Sequence, residues 1–333
     1  MALHYLETGS QDPCFNLAFE EYILENRSRG DWLLLWQNAN TVVVGLNQNT
    51  AEEIDPDFVA EHHITVVRRM TGGGAVYHDL GNLNYSFITD LGELSQMSVA
   101  RFCEPVCRAL AGMGVSASVT GRNDITVEGR KVSGVAQRIH RGRILHHGTL
   151  LFDSNPEMIA GALRADPSKF SSKSAKSVQS RVGLIRNFLP QDMALSAFWQ
   201  RLLDQLGADG LLRESLEERE LARIRALADE KYRSWDWNYG RSPNYSFTNR
   251  RRFEGGSITV QLAVEQGIIR AASFRGDFMA QCSNAPAAEA LLGRRFERES
   301  VKEALAALEL GPMFGGISAD EILAVMFGRE EER

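Results

Sequence analysis

The sequence predicts an α+β fold on a mainly antiparallel sheet, and three observations lead there. Strand-like segments come in runs joined by tight turns, and helical segments lie between these runs instead of alternating with single strands. That order disfavours a doubly wound nucleotide fold. The chain is 333 residues long, which suits two domains. A turn-rich, arginine-rich stretch within Asn238–Arg252 precedes a fresh hairpin pattern.

The elements follow in order. Asp12 is placed to cap a first helix, Pro13 suits its first turn, and Phe15, Ala18, Phe19, Tyr22 and Ile23 recur at helical spacing. Strands are expected at Trp32–Gln37, Thr41–Asn47, Ile64–Arg69, Ala75–Tyr77 and Leu83–Thr89. A helix near Ser98–Met113 follows, with Pro105 in its first turn or kinking it. Strands return at Ser116–Thr120, Asp124–Glu128, Val132–Ile139 and Ile144–Phe152, with Gly-Arg turns between the last three. Helices are expected at Asp192–Leu206 and Glu214–Arg233. The C-terminal part reads as a hairpin, Ile258–Val264 and Ile268–Phe274 about Gly267, plus three helices. The last opens on the capping box Ser318-Ala319-Asp320-Glu321.

Composition narrows the function. With 44% hydrophobic and 24% charged residues the chain reads as an ordinary globular protein. A net charge of −6 argues against a general nucleic-acid binder, which needs a strongly basic surface, but leaves room for a local basic site. No apolar run approaches the roughly 20 residues of a membrane span, and no basic-then-apolar leader precedes Asp12. A cytoplasmic protein with no membrane partner is expected. The four cysteines, Cys14, Cys103, Cys107 and Cys282, form no metal or disulfide pattern. Cys14, near a helix N-terminus, is the one placed for a lowered pKa.

Four segments carry chemistry. In Arg68-Arg69-Met70-Thr71-Gly72-Gly73-Gly74-Ala75-Val76-Tyr77-His78-Asp79, three glycines allow close backbone approach, successive N–H groups suit an anion, and two arginines add charge-assisted donors. A bare glycine-rich hairpin with solvated arginines is the alternative. In Gly121-Arg122-Asn123-Asp124, then Glu128-Gly129-Arg130-Lys131-Val132-Ser133-Gly134, Lys131 enters a strand with small neighbours and reaches across an uncrowded surface. Alone it reads as a solvated hairpin lysine. Asp124 is a candidate Mg²⁺ ligand, since that ion needs only one or two protein carboxylates. His146 and His147 point to opposite strand faces, so at most one faces a given pocket, and the spacing is not that of a metal pair. From Pro167 to Pro190 there are basic residues, Lys169, Lys173, Lys176, Arg181 and Arg186, but no acidic ones, and five serines lie between Lys169 and Arg181; this reads as a surface loop or a lid over a polyphosphate.

Taken together, these segments resemble the lipoate–protein ligase A family of the biotin/lipoate protein ligases. Asn16-Leu17-Ala18-Phe19-Glu20-Glu21 and Ser234-Trp235-Asp236-Trp237-Asn238-Tyr239-Gly240 extend the resemblance over the whole chain. It implies a biotin/lipoate ligase-type catalytic domain at residues 1–245, α+β and similar to class II aminoacyl-tRNA synthetases, with a small α+β accessory domain at 252–333. The implied reaction is ATP- and Mg²⁺-dependent activation of lipoate to lipoyl-AMP with release of pyrophosphate. Transfer to a lysine of a lipoyl domain follows, in lipoate salvage. By position Lys131 would be the catalytic cation. ATP would be held by Arg69, Gly74, Ala75, Val76, Tyr77 and Lys131. Lipoate, and short acids such as octanoate, would meet Leu17, Trp36, Val43, Arg69, Lys131, Ala136 and His147, although Leu17, Trp36, Val43 and Ala136 read equally as core. Acceptors would be the lipoyl domains of 2-oxoacid dehydrogenases or the glycine-cleavage carrier. Related transferases need no ATP and use a catalytic cysteine; none of the four cysteines lies in the Lys131 or His147 segments.

Overall fold

The computed structural model describes residues 3–48, 50–92, 99–121, 123–163, 181–239, 247–265, 268–296 and 298–327. Two compact units are present: Met1–Val44, Thr50–Arg69 and Ala75–Asn238 form the first, and Gly45–Asn49, Met70–Gly74 and Tyr239–Arg333 the second. The first carries strands β1 (Leu3–Glu7), β2 (Asp31–Trp36), β3 (Thr41–Val44), β4 (Thr65–Arg68), β5 (Val76–His78), β6 (Asn82–Asp90), β7 (Ala117–Thr120), β8 (Asp124–Val127), β9 (Arg130–His140), β10 (Arg143–Leu151) and β11 (Leu211–Arg213). Eight of these make one sheet in the order β11-β1-β2-β6-β10-β9-β8-β7, and β4-β3-β5 make a small second sheet.

In the large sheet β1 lies parallel to β2 and to β11, and every other pairing is antiparallel. The β8–β9 and β9–β10 hairpins close on Glu128-Gly129 and Arg141-Gly142, all four at positive φ. Two-residue turns of that hand match the strand twist, which pins the register of the central strands.

The main core covers one face of this sheet. Leu33, Leu35, Leu83, Tyr85 and Leu150 pack with Val106 and Leu110 of helix Val99–Gly112 and with Phe198 and Leu202 of helix Leu195–Leu206. The opposite face meets helix Pro13–Asn26, capped by Asp12, whose carboxylate accepts from Cys14 N–H at 3.0 Å. That helix is buried nearly all round, and Asn16, Glu20 and Glu21 are buried with its apolar residues.

Several elements depart from the sequence expectations. The strand from Thr41 stops at Val44, and the helix expected from Glu214 starts at Glu218, then continues as a π turn over Ala228–Tyr232. Beyond the boundary a strand, β12 (Phe247–Phe253), occupies the stretch that reads as linker. It pairs with β13 (Gly256–Glu265), which pairs with β14 (Ile268–Gly276). As an edge strand β12 turns Arg250 and Arg252 to solvent, and charge on an edge hides the period-two signal while blocking further pairing. Four helices complete this unit among the described residues, Ala285–Leu291, Arg298–Ala306, Leu310–Phe314 and Ala319–Phe327. The capping box is present: Ser318 N–H donates to Glu321 Oε2 at 2.8 Å and Glu321 N–H to Ser318 Oγ at 3.3 Å.

Candidate active site

Strand register places Trp36, Ala136 and His147 on one face of the large sheet, the face that meets helix Pro13–Asn26. On antiparallel neighbours, directly paired residues point the same way. Trp36 pairs with Asn84, Asn84 with Thr149, Ser86 with His147, and His147 with Ala136. Gly134, two residues before Ala136, shares this face, and its N–H donates to Thr149 Oγ1 at 3.2 Å. Leu17, Trp36, Val43 and Ala136 are all buried and stand outside the main core.

Lys131 lies across Gly134. A Cβ on Gly134 would sit 3.0 Å from Lys131 Nζ and 3.1 Å from Cε, so the absent side chain is the slot that the ammonium occupies. Asp124, paired with Gly134 on β8, holds that ammonium at 2.7 Å. A register shift between Ile125 and Thr126 offsets the strands at this point. Both side chains keep about a third of their surface exposed, at 39% and 33%, which leaves the pair open to a ligand.

Behind it lies a buried polar chain. Trp36 Nε1 donates to Ser86 Oγ at 3.0 Å, and Ser86 Oγ donates to Glu20 Oε1 at 2.6 Å. The same carboxylate holds His147 Nδ1 at 2.9 and 3.0 Å. Arg69 is buried, and its Nη1 donates to the Val43 carbonyl at 3.1 Å. Burial pushes its guanidinium down to about 10, opposed by the charge of Glu20, so it stays cationic at neutral pH. His146 points the other way, into the core: it stacks on Phe102 at 5.0 Å and its Nδ1 meets Gln137 Nε2 at 2.9 Å.

His78, on β5 of the small sheet, lies beside Trp36. Its Nδ1 meets Asn38 Nδ2 at 3.2 Å, and its ring lies edge-on to Trp36 at 6.4 Å. Burial pushes both His78 and His146 down to about 3, so both are neutral at pH 7. An unfolded histidine takes its proton near 6.5, so below that pH the unfolded chain binds more protons and stability falls as pH drops. Between pH 6.5 and 5 each histidine is expected to remove about 2 kcal/mol. Urea midpoints at pH 7 and pH 5 check this, and His146→Gln should remove roughly half of the two-histidine contribution; an undiminished drop in that variant would refute it.

The arginine–glycine segment is divided in its roles. Arg68 is committed to the end of the first unit: its Nε donates to Trp237 O at 2.9 Å and its Nη2 to Asn238 O at 3.0 Å. Trp237 Nε1 returns a bond to Arg68 O at 2.9 Å. Met70–Gly74 group with the second unit, where a Cβ on Gly72 would meet Phe278 O at 2.5 Å. Only glycine permits that approach. Gly74, Ala75 and Val76 are partly exposed, whereas Tyr77 is buried and donates from its hydroxyl to Asn40 Oδ1 at 2.9 Å. Val76 and Val43 pair and share a face of the small sheet; Tyr77 is on the other.

The expectation of a lowered pKa at Cys14 is corrected. Its thiol is buried, bonds to Tyr232 O at 3.3 Å and is pushed up to about 11 by burial and then by Asp12. Burial raises Cys103, to about 12, and also Cys107 and Cys282. None is poised as a thiolate. Arg122, Lys169, Lys173 and Lys176 lie outside the described residues. Arg186 is spent on Asp153 and Asp192, at 2.6 and 2.7 Å.

Sequence reasoning passed over four buried polar residues: Asn16, whose Nδ2 donates to Asn38 Oδ1 at 2.9 Å, Glu20, and Asn84 and Ser86 on the sheet. The usable signal for the first two was their i, i+4 spacing on one helix face. For the last two it was a polar alternation, Asn82, Asn84 and Ser86, within a strand that otherwise reads as buried.

Comparison with known proteins identifies the family. Residues 12–207 match the lipoyl protein ligase A/B catalytic domain, and residues 242–326 the bacterial lipoate protein ligase C-terminus. The chain is 40% identical over 321 residues to the lipoate-protein ligase LplJ of Bacillus subtilis, covering 95% of this chain and 97% of that one. It is 39% identical over 317 residues to lipoate–protein ligase 1 of Staphylococcus aureus, again covering 95% and 97%. Among solved structures, P. falciparum LipL1 in complex with lipoate shares the fold, with a TM-score of 0.77 at 21% identity, over 92% of this chain and 94% of that one. A lipoate-protein ligase A bound with ATP matches with a TM-score of 0.61 at 25% identity, over 72% of this chain and 98% of that one. A two-domain α+β chain with a lysine-bearing polar face and these relatives belongs to the lipoate–protein ligase family.

Proposed function

We propose that this chain is an ATP-dependent lipoate–protein ligase that makes lipoyl-AMP, releases pyrophosphate and then passes the lipoyl group to a lysine of a lipoyl domain. The observation that carries it is the Lys131 ammonium, held over Gly134 by Asp124 on the face shared with Trp36, Ala136 and His147. A carboxylate attacking an α-phosphate brings two anions together, and a fixed cation between them lowers that barrier. Lys131 therefore contacts the lipoate carboxylate and the α-phosphate, then the acyl and phosphate oxygens of the adenylate. It works by charge and hydrogen bonds, with no covalent intermediate. Arg69 adds a second positive charge. Backbone groups from Gly74 to Tyr77 contact ATP. Leu17, Trp36, Val43, Ala136 and His147 line the apolar tunnel for the acyl chain.

Magnesium fits a single carboxylate here. Mg²⁺ is commonly held by one or two carboxylates with phosphates and water. Among the described residues no group of three His, Cys, Asp or Glu side chains is arranged as a cage. Asp124, one-third exposed beside Lys131, is the residue that would hold it, and the ion would neutralise phosphate charge.

Both substrates are assigned to the expected catalytic domain, residues 1–245, with residues 252–333 as its accessory domain. The acceptors are apo lipoyl domains of 2-oxoacid dehydrogenases or the glycine-cleavage carrier, in the cytoplasm. A solved bipartite lipoate protein ligase of Thermoplasma acidophilum, described together with its E2 lipoyl domain and 27% identical over 74% of this chain, supports that class of acceptor. The raised cysteines speak against the thiol-dependent transferase alternative. Incubating the chain with ATP, Mg²⁺, lipoate and an apo lipoyl domain should add one lipoyl mass to the acceptor, read by intact mass spectrometry. A gain that persists without ATP would refute the ligase reading.

A further inference from the structure

The face that carries Lys131 continues across the sheet to a buried polar end. From Gly134 on β9 the row runs through Thr149 on β10 to Asn84 on β6 and Trp36 on β2. Neighbouring strands are about 4.8 Å apart, so Asn84 stands two spacings, about 10 Å, from the strand of Lys131. That is the reach of an extended eight-carbon acyl chain whose carboxylate sits at the ammonium.

Asn84 is only 2% exposed. Its Oδ1 accepts from Asn82 Nδ2 at 3.0 Å, which leaves the amide NH₂ as its remaining donor. That donor has no hydrogen-bond partner among the described residues. His78, 3% exposed and edge-on to the same Trp36, likewise has no partner among them for its Nε2. A purely alkyl tail arriving here would leave the amide donor buried and unmatched. A tail ending in a disulfide ring brings sulfur atoms, which accept weakly.

We propose that Asn84 is a specificity-determining residue whose buried side-chain NH₂ selects lipoate, with its sulfur-bearing end, over octanoate, with its plain alkyl end. The inference rests on the ligase reading above. It deepens that reading, because a tunnel lined only by apolar side chains separates such acids weakly.

The test is the ratio of kcat/KM for lipoate and octanoate, measured by pyrophosphate release in the native chain and in Asn84→Leu, a swap of similar volume. The native chain should prefer lipoate, and Asn84→Leu should lower the lipoate-to-octanoate ratio about tenfold, mainly through KM for lipoate. General damage to the fold moves both acids together and leaves the ratio where it was. If the leucine variant does not fold, Asn84→Ala gives the same readout. A native chain that turns over both acids equally, or a ratio unmoved by substitution, overturns the role of Asn84 while leaving the ligase reading intact. No pyrophosphate from the native chain with either acid overturns the ligase reading, and this inference with it.

Discussion

Replacing Lys131 with alanine is expected to slow lipoate-dependent pyrophosphate release by about a thousandfold while moving thermal unfolding very little. The asymmetry follows from where the ammonium sits. Its pair with Asp124 is more than a third exposed on the lysine side, so the pair adds little to stability. On the proposed mechanism the same charge would lie between two anions and act mainly in the transition state. The fall should therefore appear in kcat as well as in kcat/KM. Lys131→Arg should restore little, because the slot over Gly134 is already filled to 3.0 Å and a guanidinium is broader than an ammonium. Stopped-flow or coupled pyrophosphate assays with the two variants decide the matter; a Lys131→Ala chain within tenfold of native activity would remove Lys131 from the mechanism.

Glu20→Ala should have the largest effect on stability, lowering Tm by about 10 °C through a loss on the order of 3–5 kcal/mol. Glu20 is 1% exposed and accepts from Ser86 at 2.6 Å while holding His147 Nδ1 at 2.9 Å. Its charge is also what opposes the burial penalty on Arg69. Removing it strips Ser86 and His147 of a partner and leaves a buried guanidinium less compensated. Glu20→Gln keeps the shape and one acceptor, so it should lose less. KM for lipoate should rise in both variants, because Trp36 and His147 are oriented through this carboxylate. Calorimetry of the three chains checks the order; equal Tm values for native and Glu20→Ala would contradict it.

How legible these features were depended on how local their physics is. The cap at Asp12, the capping box at Ser318 and the turns at Gly129 and Gly142 rest on contacts within four residues, and all could be read directly from the residues concerned. Strand β12 could not, because its outward arginines mask the alternation that marks a strand. Strands β1 and β11 were missed for another reason. They are short and pair with each other in parallel across more than 200 residues, so nothing nearby in sequence announces them. Cys14 shows a local rule overruled: a helix N-terminus lowers a thiol pKa only where solvent also stabilises the thiolate, and here burial wins.

By itself the sequence determined the fold class, the two-part organisation and the family, because turn chemistry, strand patterning and the glycine, lysine and histidine segments are all written in contiguous residues. It also determined that His146 and His147 face opposite ways, since that follows from strand pleating alone. Only the tertiary structure decided that Arg68 anchors Trp237 and Asn238 while Arg69 lies buried near Val43. The same holds for Glu20, which turns inward to His147, and for Asn84, which stands two strands from Lys131 with a donor unmatched among the described residues. A charged or amide side chain is equally at home in water, and what draws it inside is a partner supplied by a strand or helix distant in sequence.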